Sequence, residues 1–163
     1  MQERILRARK IRVVVITLIL LTLAFIWHNS MQSGAESASF SDLVRTFLEG
    51  LLGFPIDPFI LRKLAHFSEY GLLGVEFSWL LNLRCRPDGN HSAHGRNLLD
   101  FPAIGLSAAV IDENIQVFSQ RGSAVTDVLI DFAGFCTGFF GLTLLIFLAR
   151  KILAQRKKTN SDV

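Results

Sequence analysis

Cysteine is scarce in this chain of 163 residues: there are two, Cys85 in a polar connection and Cys136 inside an apolar run. Two cysteines so placed form neither a disulfide nor a metal-binding pair. The G-x-x-x-x-G-K-[ST] phosphate loop, the H-E-x-x-H zinc helix and the G-x-S-x-G nucleophile elbow are all missing, so no enzyme class announced by those motifs is indicated. No internal repeat of convincing length occurs, and the length leaves room for one domain, 1–163, and no second core. Basic residues are also few in two of the stretches between apolar runs, chiefly Arg45 and Arg121, a shortage that bears on topology.

Apolar sequence is abundant. Half of the residues are hydrophobic and fourteen are phenylalanine. Residues 11–27 read IRVVVITLILLTLAFIW, and 125–149 are almost unbroken apart from Asp127 and Asp131. Each run approaches or exceeds the roughly 20 residues that cross a bilayer core. Two further stretches are less pure: 59–83 contains Arg62, Lys63, His66, Glu69 and Glu76, and 98–118 contains Asp100, Asp112, Glu113 and Gln116. If only the part after Tyr70 entered the bilayer, 13 residues up to Leu83 would have to span it, too few for the distance. The polar first turns therefore belong in the membrane or at its edge.

The net charge of +3 conceals an asymmetry. Arg4, Arg7, Arg9, Lys10 and Arg12 precede the first run, Arg84, Arg86 and Arg96 separate the second from the third, and Arg150, Lys151, Arg156, Lys157 and Lys158 follow the last. Cytoplasmic connections carry the excess of Lys and Arg, so both termini and the second connection are expected in the cytoplasm, with four spans at about 11–28, 59–83, 98–118 and 125–149. The basic clusters read as topology anchors that attract anionic lipid, not as arms for nucleic acid. Ser33-Gly34-Ala35 offers a signal-peptide alternative for the first run, but a retained anchor is expected, because the apolar region is long and further spans follow. Between the first two spans Phe40, Leu43, Val44, Phe47, Leu48, Leu51 and Leu52 recur at helical spacing. They predict an extracytoplasmic amphipathic helix at about 40–52, lying on the outer leaflet or capping the bundle and ended by Gly53 and Pro55. Residues 82–97 read as a polar loop with a Pro-Asp-Gly turn; His91 and His94, three apart there, have the spacing of metal ligands on a helix, but among Gly, Asn and Ser a solvated loop is expected. The fold expected is all-α: a polytopic membrane protein of four transmembrane helices plus that short helix.

On span two Lys63, His66, Glu69, Tyr70 and Glu76 lie near one helix face. Span three ends with Asp112, Glu113 and Gln116, and span four opens with Asp127 and Asp131, four apart. With alternating spans, all three polar segments come to the extracytoplasmic side. An ionised side chain at a helix centre costs roughly 2.5–3.5 kcal/mol on insertion scales, so these groups must face each other or water. Acids outnumber the bases Lys63 and Arg121, which calls for protonated carboxylates or a bound cation. Gly134 and Gly138 form G-x-x-x-G after Asp131, a spacing for close helix approach, and Gly71 and Gly74 suggest the same for span two.

The segments Lys63-Leu-Ala-His66-Phe-Ser-Glu69-Tyr70-Gly71-Leu-Leu-Gly74, Asp112-Glu113-Asn-Ile-Gln116-Val-Phe118, and Arg121 followed by Asp127-Val-Leu-Ile-Asp131-Phe-Ala-Gly134 resemble the VanZ-like family. Asn29-Ser30-Met31-Gln32-Ser33 is similar to that family's short Ser/Gln motif after the first span. The resemblance implies a small membrane protein of the bacterial cell envelope, in a family whose founding member is associated with low-level teicoplanin resistance in Gram-positive bacteria. It supplies no mechanism, and three remain open. One is binding of an amphiphile, a lipoglycopeptide or lipid-linked cell-wall precursor, with Gln32, Lys63, Tyr70, Asp112, Gln116, Arg121 and Asp127 as ligand-binding residues. Another is a hydrolase or transferase acting on a lipid-linked substrate. There His66 is general base or metal ligand, and Glu69, Glu113, Asp127 and Asp131 are further ligands or acids. The third is ion or proton movement, for which the apolar cytoplasmic halves of spans three and four offer no evident path. The lipid bilayer is the one partner expected throughout; cofactor, metal and oligomeric state stay open.

Overall fold

A computed structural model of the chain describes residues 2–32, 34–84, 91–119 and 124–161. Within those residues the protein is all-helical, with five helices: α1 Gln2–Met31, α2 Gly34–Leu52, α3 Pro58–Arg84, α4 His91–Phe118 and α5 Val125–Ser161. The amphipathic helix expected at 40–52 starts earlier, at Gly34. The loop expected at 82–97 is corrected in part. His91 and His94 belong to the first turns of α4, which begins well before its apolar run. The opening turn of a helix leaves its backbone N–H groups without intrahelical acceptors and suits polar residues, so hydrophobic periodicity gives no signal there. The Pro-Asp-Gly turn and Cys85 lie outside the described residues, and the polar tail continues α5 as far as Ser161.

Local chemistry turns the chain from α2 into α3. Gly53 has φ 77°, a conformation that costs glycine nothing, and its N–H reaches the Glu49 carbonyl at 2.9 Å, closing the end of α2. The Glu49 carboxylate accepts the Ile56 N–H at 2.9 Å. Asp57 then caps α3: its carboxylate accepts the Phe59 N–H at 2.8 Å and its carbonyl accepts the Leu61 N–H at 3.0 Å. Pro58 takes the first helical position, where a missing N–H is harmless.

Helix α3 touches all the others, and its contact with α5 is the most extensive. The two run parallel: Lys63 meets Asp127, Phe67 faces Gly134, Gly71 faces Gly138, and Ser78 lies 2.8 Å from Thr143. Side chains at the crossing are replaced by hydrogen. A Cβ on Gly134 would overlap the Phe67 carbonyl, one on Gly138 the Gly71 carbonyl, and one on Gly74 the backbone of Phe135 and Phe139. This is the close approach expected of small residues three and four apart. Helix α1 runs antiparallel to α3, as the pairs Asn29–Glu69 and Thr22–Glu76 require. Phe77, Phe101, Phe135 and Phe139 fill the middle, with ring centroids 5.3–6.1 Å apart along the chain of contacts. Gly105 leaves room for the Phe135 ring.

The outside of the bundle is apolar. Leu6–Met31 and Val125–Arg156 are long and apolar enough to cross a membrane, with mean hydropathies of 2.2 and 2.1. Only 17% of each apolar window is buried. Val13, Val14, Leu20 and Leu21 of α1 and Leu144, Leu145 and Phe147 of α5 point outward. A core helix of a water-soluble bundle buries such residues, and exposed apolar surface on this scale suits lipid.

Candidate functional site

Polar side chains gather at one end of the bundle, where α1 and α4 finish and α3 and α5 begin. Lys63 pairs with the Asp127 carboxylate and lies 4.4 Å from the centre of the Phe59 ring. The Arg62 guanidinium donates to the Gln116 side-chain oxygen at 3.2 Å, and the Gln116 amide donates to Asp112 at 3.1 Å. One turn beyond Arg62, His66 places Nδ1 3.7 Å from an Asp131 oxygen and 3.9 Å from an Asp112 oxygen. Those separations exceed a direct hydrogen bond. Asp112 and Asp131 are buried, and neither oxygen of Asp131 has a hydrogen-bond partner among the described residues.

Other acids of the region are engaged differently. Glu69 accepts from the Asn29 amide at 3.3 Å, tying α3 to the last turn of α1. Glu113 accepts the Ala124 N–H at 2.5 Å and so fixes the residue that leads into α5. Tyr70 is fully buried, its hydroxyl donating to the Ala108 carbonyl at 3.2 Å. A cavity of about 280 Å³ opens beside these groups, lined by Phe59, Arg62, Lys63, His66, Asp127, Ile130 and Asp131. One wall is thus cationic and polar, another is formed by an aromatic and an aliphatic side chain, and two carboxylates complete the lining.

The sequence-predicted residues separate into groups. Lys63, His66, Asp127 and Asp131 line the cavity. Asp112 and Gln116 stand behind His66 and Arg62. Glu69, Tyr70 and Glu113 are bonded to neighbouring helices or to the chain entering α5. Gln32 sits just past the end of α1, half-buried, with its backbone N–H 3.3 Å from the Asn29 carbonyl. Arg121 lies outside the described residues. Arg62 lines the cavity although no motif marks it; its four-residue spacing to His66, which puts both on one face, is the signal that points to it. Asn29, within the short Ser/Gln motif, holds Glu69. Glu76, which spacing placed near the same helix face, is buried and accepts from Thr22 at 2.9 Å, two turns from Glu69 and away from the cavity.

A bundle with an apolar exterior and a buried polar cluster at one end is the inverse of a soluble helical protein, and it has the organisation of an integral membrane protein. A profile of the VanZ/LLP1 family matches residues 12–148, and the chain belongs to that family. No curated protein and no solved structure matches it.

Proposed function

We propose that the protein is a four-span component of the bacterial cell envelope that binds an amphiphile at the cavity end of its bundle and thereby contributes to teicoplanin or lipoglycopeptide resistance. The observation that carries this reading is the mixed lining of the cavity: Arg62, Lys63 and His66 suit an anionic or polar head group, while Phe59 and Ile130 suit its apolar continuation. The parallel register of α3 and α5 supports the span count. A helix that lies against α5 from Lys63–Asp127 to Ser78–Thr143 shares its depth, and α4 must then return the chain between them. Charge bias orients the assembly with both termini in the cytoplasm and the cavity outside. Leu43, Phe47 and Leu51 of α2, each about 70% exposed, form the apolar stripe of a helix resting on the outer leaflet.

The test uses photo-crosslinkable teicoplanin and lipid-linked precursor analogues on wild type and on Arg62→Ala and Lys63→Ala at matched membrane levels. Labelling that falls in both variants, with teicoplanin susceptibility restored in a Gram-positive host, supports the reading. Equal labelling of all three proteins removes it.

A second reading has its own observation. The His66 imidazole lies within 4 Å of two buried carboxylates, an arrangement able to orient a general base at the cavity wall for a hydrolase or transferase acting on a lipid-linked substrate. Purified protein that binds such substrates without turnover, at wild type and His66→Gln alike, rules this out.

A further inference from the structure

We infer that His66, Asp112 and Asp131 form a binding site for one divalent cation of the hard-to-borderline class, manganese or zinc. The inference goes beyond both functional readings: it stands beside amphiphile binding, and in the second reading it makes His66 a metal ligand through Nδ1 in place of a general base. One ligand atom from each residue lies within 4.8 Å of the other two, and His66 Nδ1 is 3.7 Å from Asp131 and 3.9 Å from Asp112. Ligand bonds of about 2.0–2.2 Å place two donors on a shared ion roughly 3–4 Å apart, a range that the two histidine separations match.

Asp131 supplies the independent observation. It is 1% exposed, both of its oxygens lack a hydrogen-bond partner among the described residues, and Oδ1 faces the His66 ring. A buried carboxylate left so is costly unless something pairs with it. The nearby cations are committed elsewhere: Lys63 to Asp127 and Arg62 to Gln116. Asp112 is fully buried as well, so the His66 environment holds two acids that water does not reach. A divalent ion supplies the missing charge.

The donor set limits the ion. Two carboxylates and one imidazole suit manganese or zinc better than the soft thiolate-seeking metals, and among the described residues no cysteine belongs to the cluster. Gln116, donating to Asp112 at 3.1 Å, is placed to orient that carboxylate from behind. Because His66 and Asp131 also line the cavity, the ion's open positions would face it.

The test needs neither lipid nor antibiotic. Full-length protein in detergent is stripped with a chelator, equilibrated with manganese, desalted and assayed for metal, alongside His66→Gln, Asp131→Asn and the exposed Asp100→Asn. The expected result is one ion per chain in wild type and Asp100→Asn. Affinity should fall by at least the roughly 10- to 100-fold typical of losing even an outer partner in the other two. Pulsed electron paramagnetic resonance of the wild type alone should show nitrogen modulation from one imidazole, so the test stands even where a variant fails to fold. Wild type that retains no ion, or manganese without nitrogen modulation, overturns the proposal. So does binding unchanged in the folded His66→Gln and Asp131→Asn proteins. Since no amphiphile enters the assay, that outcome leaves the binding reading to its own crosslinking test.

Discussion

Replacing Gly138 by alanine tests the crossing that aligns α3 with α5. A Cβ there overlaps the Gly71 carbonyl oxygen and stands 2.9 Å from its carbon and 3.1 Å from the Val75 nitrogen. All three are backbone atoms, so no rotamer change relieves the overlap and the helices must part. Ordinary carbon contacts are about 3.5–4.0 Å, so the carbonyl carbon alone demands roughly 0.6 Å of separation, enough to forfeit about a quarter of the dispersion well between facing atoms. Overpacking costs about 1–3 kcal/mol, and overlap with a rigid backbone oxygen belongs to the upper part of that range, about 2–3 kcal/mol, opposed by a gain of about 1 kcal/mol for alanine over glycine inside a helix. The net loss expected is about 1–2 kcal/mol, or roughly 5- to 30-fold in the folded-to-unfolded ratio. Gly141 is the control, since a Cβ there meets nothing within 4 Å. Gly141→Ala keeps only the favourable term, so the two substitutions should move stability in opposite directions. Both are measured against wild type by thermal unfolding of the purified protein in one detergent, followed by circular dichroism. Gly138→Ala unfolding at or above the temperature of Gly141→Ala would show that the backbones do not meet there.

The Lys63–Asp127 pair, with side chains 24% and 28% exposed, should show a coupling of about 1 kcal/mol in a double-mutant cycle of Lys63→Met and Asp127→Asn; additive losses refute it. Glu113→Ala frees the Ala124 N–H and should cost about 1 kcal/mol. Faster hydrogen exchange confined to the first turn of α5 is the expected signature, and unchanged exchange there counts against a capping role. Thr22→Val removes the donor to Glu76 and should cost about 0.5–1 kcal/mol, as interhelical hydrogen bonds in membranes do. Glu76→Gln keeps the acceptor and should cost less, so equal losses would remove that bond from the account.

Much of the architecture was legible because it rests on local pattern. The long apolar runs read as helices α1 and α5, and Gly71, Gly74, Gly134 and Gly138, read as small residues for close helix approach, meet at one crossing. The early start of α2 was hidden, since residues 34–39, Gly-Ala-Glu-Ser-Ala-Ser, carry no apolar stripe. The candidate site was legible as a set and not as pairs. Spacing along α3 put Lys63, His66 and Glu69 on one side of a helix. It could not say that His66 approaches Asp112 and Asp131 while Glu69 turns to Asn29. Contacts between helices 40 or more residues apart in sequence leave no periodic trace, so Arg62–Gln116 and Asn29–Glu69 emerge only from the packed bundle.

The same crossing that closes the bundle also accounts for the opening at its end. At Gly71, Gly134 and Gly138 the backbones of α3 and α5 touch, and no space remains between them. Toward the helix starts the residues are Arg62, Lys63 and His66 on α3 and Asp127 and Asp131 on α5, and these line a cavity of about 280 Å³. Charge placed deeper meets the phenylalanine core of Phe77, Phe101, Phe135 and Phe139, where desolvation is costly, and the buried Glu76 there is accommodated by accepting from Thr22. Charge placed further out would be screened by water and bind weakly. The first turns of two parallel helices, with glycines immediately behind them, are therefore where this fold places a buried carboxylate, Asp131, at the wall of a cavity.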